Sequence, residues 1–436
     1  MRSMKRWLKI RPLEPVMLRD GRPFEANPGA KAHSMSEVPP SVVAGTLRTL
    51  LGKKLAEEHG HTTAFGEKEK LEVAKLAVRG PLLHYKEQPY FPVPRDLHFR
   101  QAGNRLEVDR IVPRKPGEGE GFLGTGRSGW HGDRLWPAAG ASGKGAAAAP
   151  QYLSAEWMID WLGTHALTED WMKPLDNWYA DETRLPENVQ GGLTYVKEAA
   201  SEPFLRAFPR DVRTHVAIDK ASHTAMEGIL FDTEALVFPE DAYLLAEADL
   251  SESNIAWPKG LSAIHSFGGK RRLAHFSETE AGEVWSCPDS ILQALDGACY
   301  IRMVLATPAY FTKGWLPGWL DSDLRGKPEA MGEEDIVLEL KWACVPRWQP
   351  ISGWSYGKRE EKAIRRMVPA GSVYFFKVER GNPRLLAEKL WLQSVSDRNR
   401  RTAMLDRNDG FGLALWGVWD EKAYSGDERN QEVESR

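Results

Sequence analysis

Apolar and polar residues alternate over 6–11 (RWLKIR), the period of a half-buried strand, with Leu8 and Ile10 on one side and Trp7, Lys9 and Arg11 on the other. The spacing lengthens over 41–58, where Val43, Leu47, Leu50, Leu51 and Leu55 form the apolar stripe of a helix. Ser41, following Pro39 and Pro40, is positioned to cap it. A second stripe of Ser41, Gly45, Arg48 and Gly52 is small and carries one guanidinium, so a neighbouring backbone is expected to come close. Ahead of the helix lie a strand, a basic glycine-broken turn with Arg19, Gly21 and Arg22, and a loop of small residues. That order brings loose N–H groups and arginines to a helix N-terminus, an end that suits a phosphate.

Alternation returns at 210–250. Val212, Thr214, Val216 and Ile218 share one face of a strand, and Arg213 and His215 share the other. GILFDTEALVF and AYLLAEADL read as further strands, and HSFGGKRRLAHF as a glycine turn bearing Lys270, Arg271 and Arg272. Strands are expected at 299–307, 335–345, 371–379 and within DGFGLALWGVW, with a helix near 383–392. Between 117 and 149, ten of 33 residues are glycine, which predicts a long loop. Its GxGxxG at Gly124–Gly129 has neither a strand before it nor a helix after it, so it is not a dinucleotide fingerprint. A helix is expected over 151–180, with Trp157, Met158, Trp161 and Leu162 on its apolar face.

This order is α+β with antiparallel sheets. It is compatible with two ferredoxin-like (RRM-like) domains: 1–280 with a large insertion at about 100–200, then 281–422, then a polar tail at 423–436. A chain of 436 residues with 42% apolar content suits two cores. No apolar run approaches the length of a membrane span, and the N-terminus lacks a signal-like apolar stretch. Cys287, Cys299 and Cys344 have no metal-ligand spacing, and reduced thiols in the cytoplasm are expected. Seventeen tryptophans are most simply core residues, although tryptophan also stacks on bases.

Charge is sorted along the chain. Lys341–Arg366 carries net +5 and Arg398–Arg407 net +3, whereas Ala221–Trp257 holds eight carboxylates and no Lys or Arg. The first two suit a polyanion, and the acidic 227–252 stretch suits a basic subunit or solvent. The sequence has no HExxH, zinc spacing, GxSxG or P-loop, and no metal or cofactor is expected. A metal-independent ribonuclease could use histidine as acid or base, with His33, His215 and His223 as the candidates. The basic groups fall on loops beside glycines, where backbone N–H groups reach a phosphate and arginine forks onto it. That repetition favours gripping an RNA backbone over catalysis.

Seven stretches, in consistent order, resemble one family: LRDGRPF (18–24), VPPSVVAGTLRT (38–49), RTHVAIDKASHTAMEGILF (213–231), FGGKRRLA (267–274), ATPAYFTKGWLP (306–317), ISGWSYGKREEKAIRRMVPAGSVYFF (351–376) and DGFGLALWG (409–417). The family is the third subunit of the Cmr module, the type III-B CRISPR effector of antiviral defence, within the RAMP superfamily. The resemblance implies two ferredoxin-like domains and a non-catalytic RNA-binding subunit holding the 5′ tag of the guide RNA (crRNA). The implied partners are the large polymerase/cyclase-like subunit and the RAMP backbone subunits, with target RNA nearby and no membrane. A thumb-like hairpin is implied around KASHT, intruding on the guide–target duplex. Arg19, Gly21, Arg22, Ser41, Gly45, Arg48, Arg213, His215, Lys270, Arg271 and Arg272 are the expected RNA contacts. A guide-processing RAMP endoribonuclease is the alternative. RAMP proteins often end in a glycine-rich loop bearing a cation. Here Gly410, Gly412 and Gly417 have no basic residue among them, and tight strand packing is the competing expectation.

Overall fold

Strand β1 (Lys5–Pro12) buries Leu8 and Ile10 completely, as its alternation requires, and lies inside an eight-stranded antiparallel sheet. The computed structural model describes residues 5–19, 29–58, 60, 66–115, 135–136, 138–139, 143–179, 203–219, 221–253, 255–355, 360–398 and 408–420. Gly21 and Arg22, most of the 117–149 stretch and the polar tail lie outside them. Across the sheet the order is β10 (Phe204–Leu205), β9 (Tyr152–Ser154), β4 (Gln88–Pro92), β3 (Ala77–Tyr85), β13 (Ala242–Asp249), β1, β15 (Leu273–Thr279) and β14 (Ser262–Ser266). Helices α1 (Pro40–Glu58) and α2 (Glu67–Ala74) cover one face, where Val43, Leu47 and Leu51 meet Leu8, Ile10, Val78 and Leu244. The helix begins at Pro40, not Ser41: proline's fixed φ and missing N–H suit a first helical position, so Ser41 lies inside the first turn.

A second sheet of six strands has the order β17 (Arg325–Gly326), β18 (Val337–Cys344), β21 (Val373–Arg380), β16 (Tyr300–Leu305), β23 (Leu413–Val418), β22 (Gln393–Ser394). Helices α3 (Ala155–Thr164), α4 (Asp289–Leu295) and α5 (Arg384–Leu390) pack on it around β23. The fold is thus mixed α+β with mostly antiparallel sheets. The helix expected over 151–180 is shorter: α3 ends at Thr164, where His165 turns left-handed, and two 3-10 turns follow. Gly417 lets α3 reach β23, since a Cβ there would collide with the Leu162 carbonyl oxygen. At Gly410 (φ +88°) a Cβ would likewise collide with the Gly80 carbonyl oxygen of β3. Among the glycines of the C-terminal loop, tight packing is therefore what these two positions require.

Outside the two sheets stand smaller units. The hairpin of β5 (Leu97–Ala102) and β6 (Arg105–Arg110) and the short pair β7 (Val112–Pro113) and β8 (Ala138–Ala139) form part of the insertion. A three-stranded sheet joins β11 (Arg210–Ile218), β12 (Ala225–Leu236) and β2 (Ala30–Ala32), with β2 parallel to β12. The hairpin of β19 (Gln349–Ser355) and β20 (Glu360–Met367) leaves the second half of the chain, yet buries Ile351 and Met367 in the core beneath α1. Trp161, Trp171 and Trp416 are fully buried, in keeping with the core reading of tryptophan, whereas Trp348 is 42% exposed.

Candidate nucleic-acid interface

The segment 13–19 runs between two strands and ties them together. Val16 pairs with Leu236 of β12, and Gly269, in the turn between β14 and β15, donates its N–H to the Met17 carbonyl at 2.7 Å. Glycine is needed beside it: Gly268 has φ +76°, and a Cβ there would sit 2.8 Å from the Met17 oxygen. Lys270 and Arg271 follow at φ +54° and +55°, left-handed values that cost non-glycine residues about 1–3 kcal/mol each. The turn holds that strain and leaves both cations exposed.

Strand β11 supplies the other half of the cluster. Arg213 and His215 share one face, with Thr233 and Phe231 opposite them on β12. The His215 ring stacks on Phe231 at 5.2 Å, and its Nε2 lies 2.9 Å from Thr233 Oγ1. Lys270 Nζ reaches the same Nε2 at 3.5 Å, so the glycine turn and the hairpin meet through this pair. Desolvation, then Lys270 and Arg213, lower the His215 pKa and favour the neutral ring. Desolvation, then Arg272 and Arg213, likewise lower that of Lys270. In both groups the neighbouring cations add to the desolvation, and a bound phosphate would relieve that part of the shift. Arg213 keeps one carboxylate partner, Asp211, at 2.8 Å. Arg272 pairs with Glu14, whose other oxygen accepts from the Leu273 amide at 2.9 Å. That ion pair and then the amide bond hold the Glu14 carboxyl below its usual range, so Arg272 braces the turn.

Beside this cluster, Glu234 gathers two cations and a histidine. Lys31 Nζ and His33 Nδ1 lie 2.9 and 3.4 Å from its Oε1; Arg210 Nη1 and the Ser34 N–H lie 2.8 and 3.3 Å from its Oε2. Burial raises the carboxyl pKa, but Lys31, the Ser34 amide and Arg210 outweigh it and hold it at about 2. The hub locks β2, β11 and β12 together. Sequence reasoning passed over Lys31, Arg210 and Glu234; their only signal was the alternation of AKAHS, which places Lys31 and His33 on one face.

Arg19 is exposed one bridge away, opposite Ser34. The α1 group lies elsewhere. Gly45 is exposed, with open space where a Cβ would sit, and Ser41 is half-buried. Arg48 departs from the expectation of a phosphate-binding cation: it donates to Asp409 Oδ1 at 2.5 Å, the Leu76 carbonyl at 2.7 Å and the Asn408 carbonyl at 3.2 Å. Its guanidinium fastens α1 to the C-terminal loop. Among the described residues, the expected contacts thus form one group on the 13–19 segment, hairpin and glycine turn, and a separate one on α1.

The candidate histidines have different partners. His33 pairs with Glu234, His215 with Thr233 and Lys270, and His223 stands in the turn between β11 and β12, at φ +55°. Among the described residues no group of three or more His, Cys, Asp and Glu could hold a metal ion.

A family model described as CRISPR-associated protein (Cas_Cmr3) matches residues 8–419. No curated protein matches the chain. One similar chain comes from a cryo-EM structure of the type III-B Cmr-beta bound to cognate target RNA: 17% identity over 85% of this chain and 86% of that one, TM-score 0.42. Another comes from a crystal structure of a Csm3–Csm4 subcomplex in the type III-A CRISPR–Cas interference complex: 9% identity, 95% and 99% coverage, TM-score 0.31. Both scores lie below 0.5, so membership rests on the family model.

Proposed function

The chain belongs to the Cas_Cmr3 family of CRISPR-associated proteins, and from that premise we propose that it grips the 5′ tag of a guide RNA within a type III-B effector. Arg213, His215, Lys270 and Arg271, with Arg19, contact the RNA backbone. Arg272 acts as the brace of the turn. The subunit bridges the large polymerase/cyclase-like subunit to the backbone subunits, and its two sheets with their helices are elaborated ferredoxin-like units. The β11–β12 hairpin is the thumb.

The observation that carries this reading is the meeting of Lys270 with His215. It brings Arg213 and His215 of one segment beside Lys270 and Arg271 of another, far away in sequence. Exposed guanidinium and ammonium groups beside backbone N–H donors are how phosphates are positioned. The test is guide content. Arg213→Glu with Lys270→Glu should leave the assembled complex depleted of guide RNA, and unchanged content would refute the reading. Metal-free cleavage of repeat RNA by the purified chain, abolished in His33→Ala or His215→Ala, would replace grip with catalysis.

A further inference from the structure

A pocket of about 50 Å³ lies where the loop into α1, strands β3, β4, β9 and β13, the foot of the β11–β12 hairpin and the loop after β16 meet. Most of its lining is apolar. Thr307, one polar exception, already donates to the Gly410 carbonyl at 2.7 Å. The Glu37 carboxyl and the Tyr152 hydroxyl, which also line it, have no hydrogen-bond or ion-pair partner among the described residues. Tyr152 is only 7% exposed, and Glu37 is half-buried. Pro39 and Pro40, close by along the chain, have no N–H to offer the carboxylate. Burial pushes the Glu37 carboxyl above its ordinary range, and the exposed Arg95 offsets only part of that. The Phe208 ring lies 5.9 Å from that of Tyr152 and 5.1 Å from that of Phe238, so three aromatic rings line the same pocket.

We propose that this pocket binds a primary alkylammonium group, which donates to Glu37 and Tyr152 and lays its methylenes against the apolar wall. Two acceptors without donors call for a donor, and a desolvated carboxylate calls for a cation. Aromatic faces attract the same charge. A phosphate would meet Glu37 as a like charge, and a neutral alcohol would leave it unpaired. The volume holds about four water-sized groups, which suits an ammonium on a short stem. A free amine and a lysine of a neighbouring protein present the same group. None of Arg213, His215, Lys270 and Arg271 lines the pocket, so the site stands whatever those cations grip.

The test is titration calorimetry of the purified full chain with n-propylammonium chloride in an amine-free buffer, against the same concentrations of sodium chloride. Saturable binding is expected. 1-Propanol, of nearly the same shape but uncharged, should bind about tenfold or more weakly, the worth of a charge-assisted hydrogen bond. Glu37→Gln should lose as much affinity, and Tyr152→Phe about threefold to tenfold. Glu37→Gln should not lower the melting temperature, because the carboxyl has no partner to lose, so lost binding is not lost folding. Heat no different from that of sodium chloride, equal binding of 1-propanol, or unchanged affinity in Glu37→Gln overturns the proposal. Carbodiimide coupling in the assembled complex then reads the source. A Glu37 adduct with a lysine of another subunit marks a protein, and coupling only to added propylamine marks a free amine; coupling to neither refutes the site.

Discussion

Arg302 and Asp96, both fully buried, form an ion pair that joins the centre of the second sheet to the turn leaving the first. Arg302 also donates to the Trp161 carbonyl, and Trp161 returns its indole N–H to Asp96 Oδ1 at 3.1 Å. His165 Nε2 lies 3.4 Å from Asp96 Oδ2. The cluster therefore fixes α3 between the sheets. Breaking one partner of a buried pair strands the other charge, at about 3–5 kcal/mol. Arg302→Met should lower the melting temperature far more than Arg302→Met with Asp96→Leu, as calorimetry would show.

His165 adds a pH dependence. Burial, then Arg302, depress its pKa to about 3, against the opposing pull of Asp96. The unfolded chain takes up that proton near its ordinary value of 6.5. Stability is therefore complete above pH 6.5 and falls as pH drops from there toward 3. The melting temperature should decline over this range, and His165→Asn, which tolerates the left-handed backbone, should flatten the decline. An unchanged slope in the variant would reject His165 as its source.

Arg48 and Lys270 should separate stability from RNA binding. Arg48→Ala leaves the buried Asp409 carboxylate without its guanidinium, a loss of about 2–3 kcal/mol. Denaturant titration should find that loss while RNA affinity stays within twofold. Lys270→Ala should show the opposite: weaker RNA binding with an unaltered midpoint.

Salt titration measures the phosphate contacts. Removing two of them from a single-stranded site lowers the slope of log K against log salt by about 1.4. Lys270→Ala with Arg271→Ala should show that change by fluorescence anisotropy. An identical slope would mean that neither cation meets a phosphate.

Gly268→Ala should disrupt the turn that presents these cations. A Cβ would press on the Met17 oxygen in a backbone region that alanine resists, so about 2 kcal/mol or more is expected to be lost. Gly45→Ala, at an exposed helical site with open space, should instead stabilise the chain by up to about 1 kcal/mol.

Local periodicity determined much of this molecule. The alternation of 6–11 and 210–218 assigned Leu8 and Ile10 to the core, and Arg213 and His215 to one face, because strand geometry turns every second side chain the same way. The glycines at 268 and 269 marked a tight turn, since few other residues adopt its backbone. Only the tertiary structure decided how these cations are used. Arg48 looked as available as Lys270 until the fold placed Asp409, 361 residues away, against its guanidinium. Arg302 lies in the strand expected over 299–307, and only the fold brings Asp96 against it in the interior. The β19–β20 hairpin likewise left its own half of the chain to bury Ile351 and Met367 beneath α1. Periodicity tells which face of an element is apolar. Which charge meets which carboxylate depends on how separate sheets and helices pack, and no local spacing encodes that.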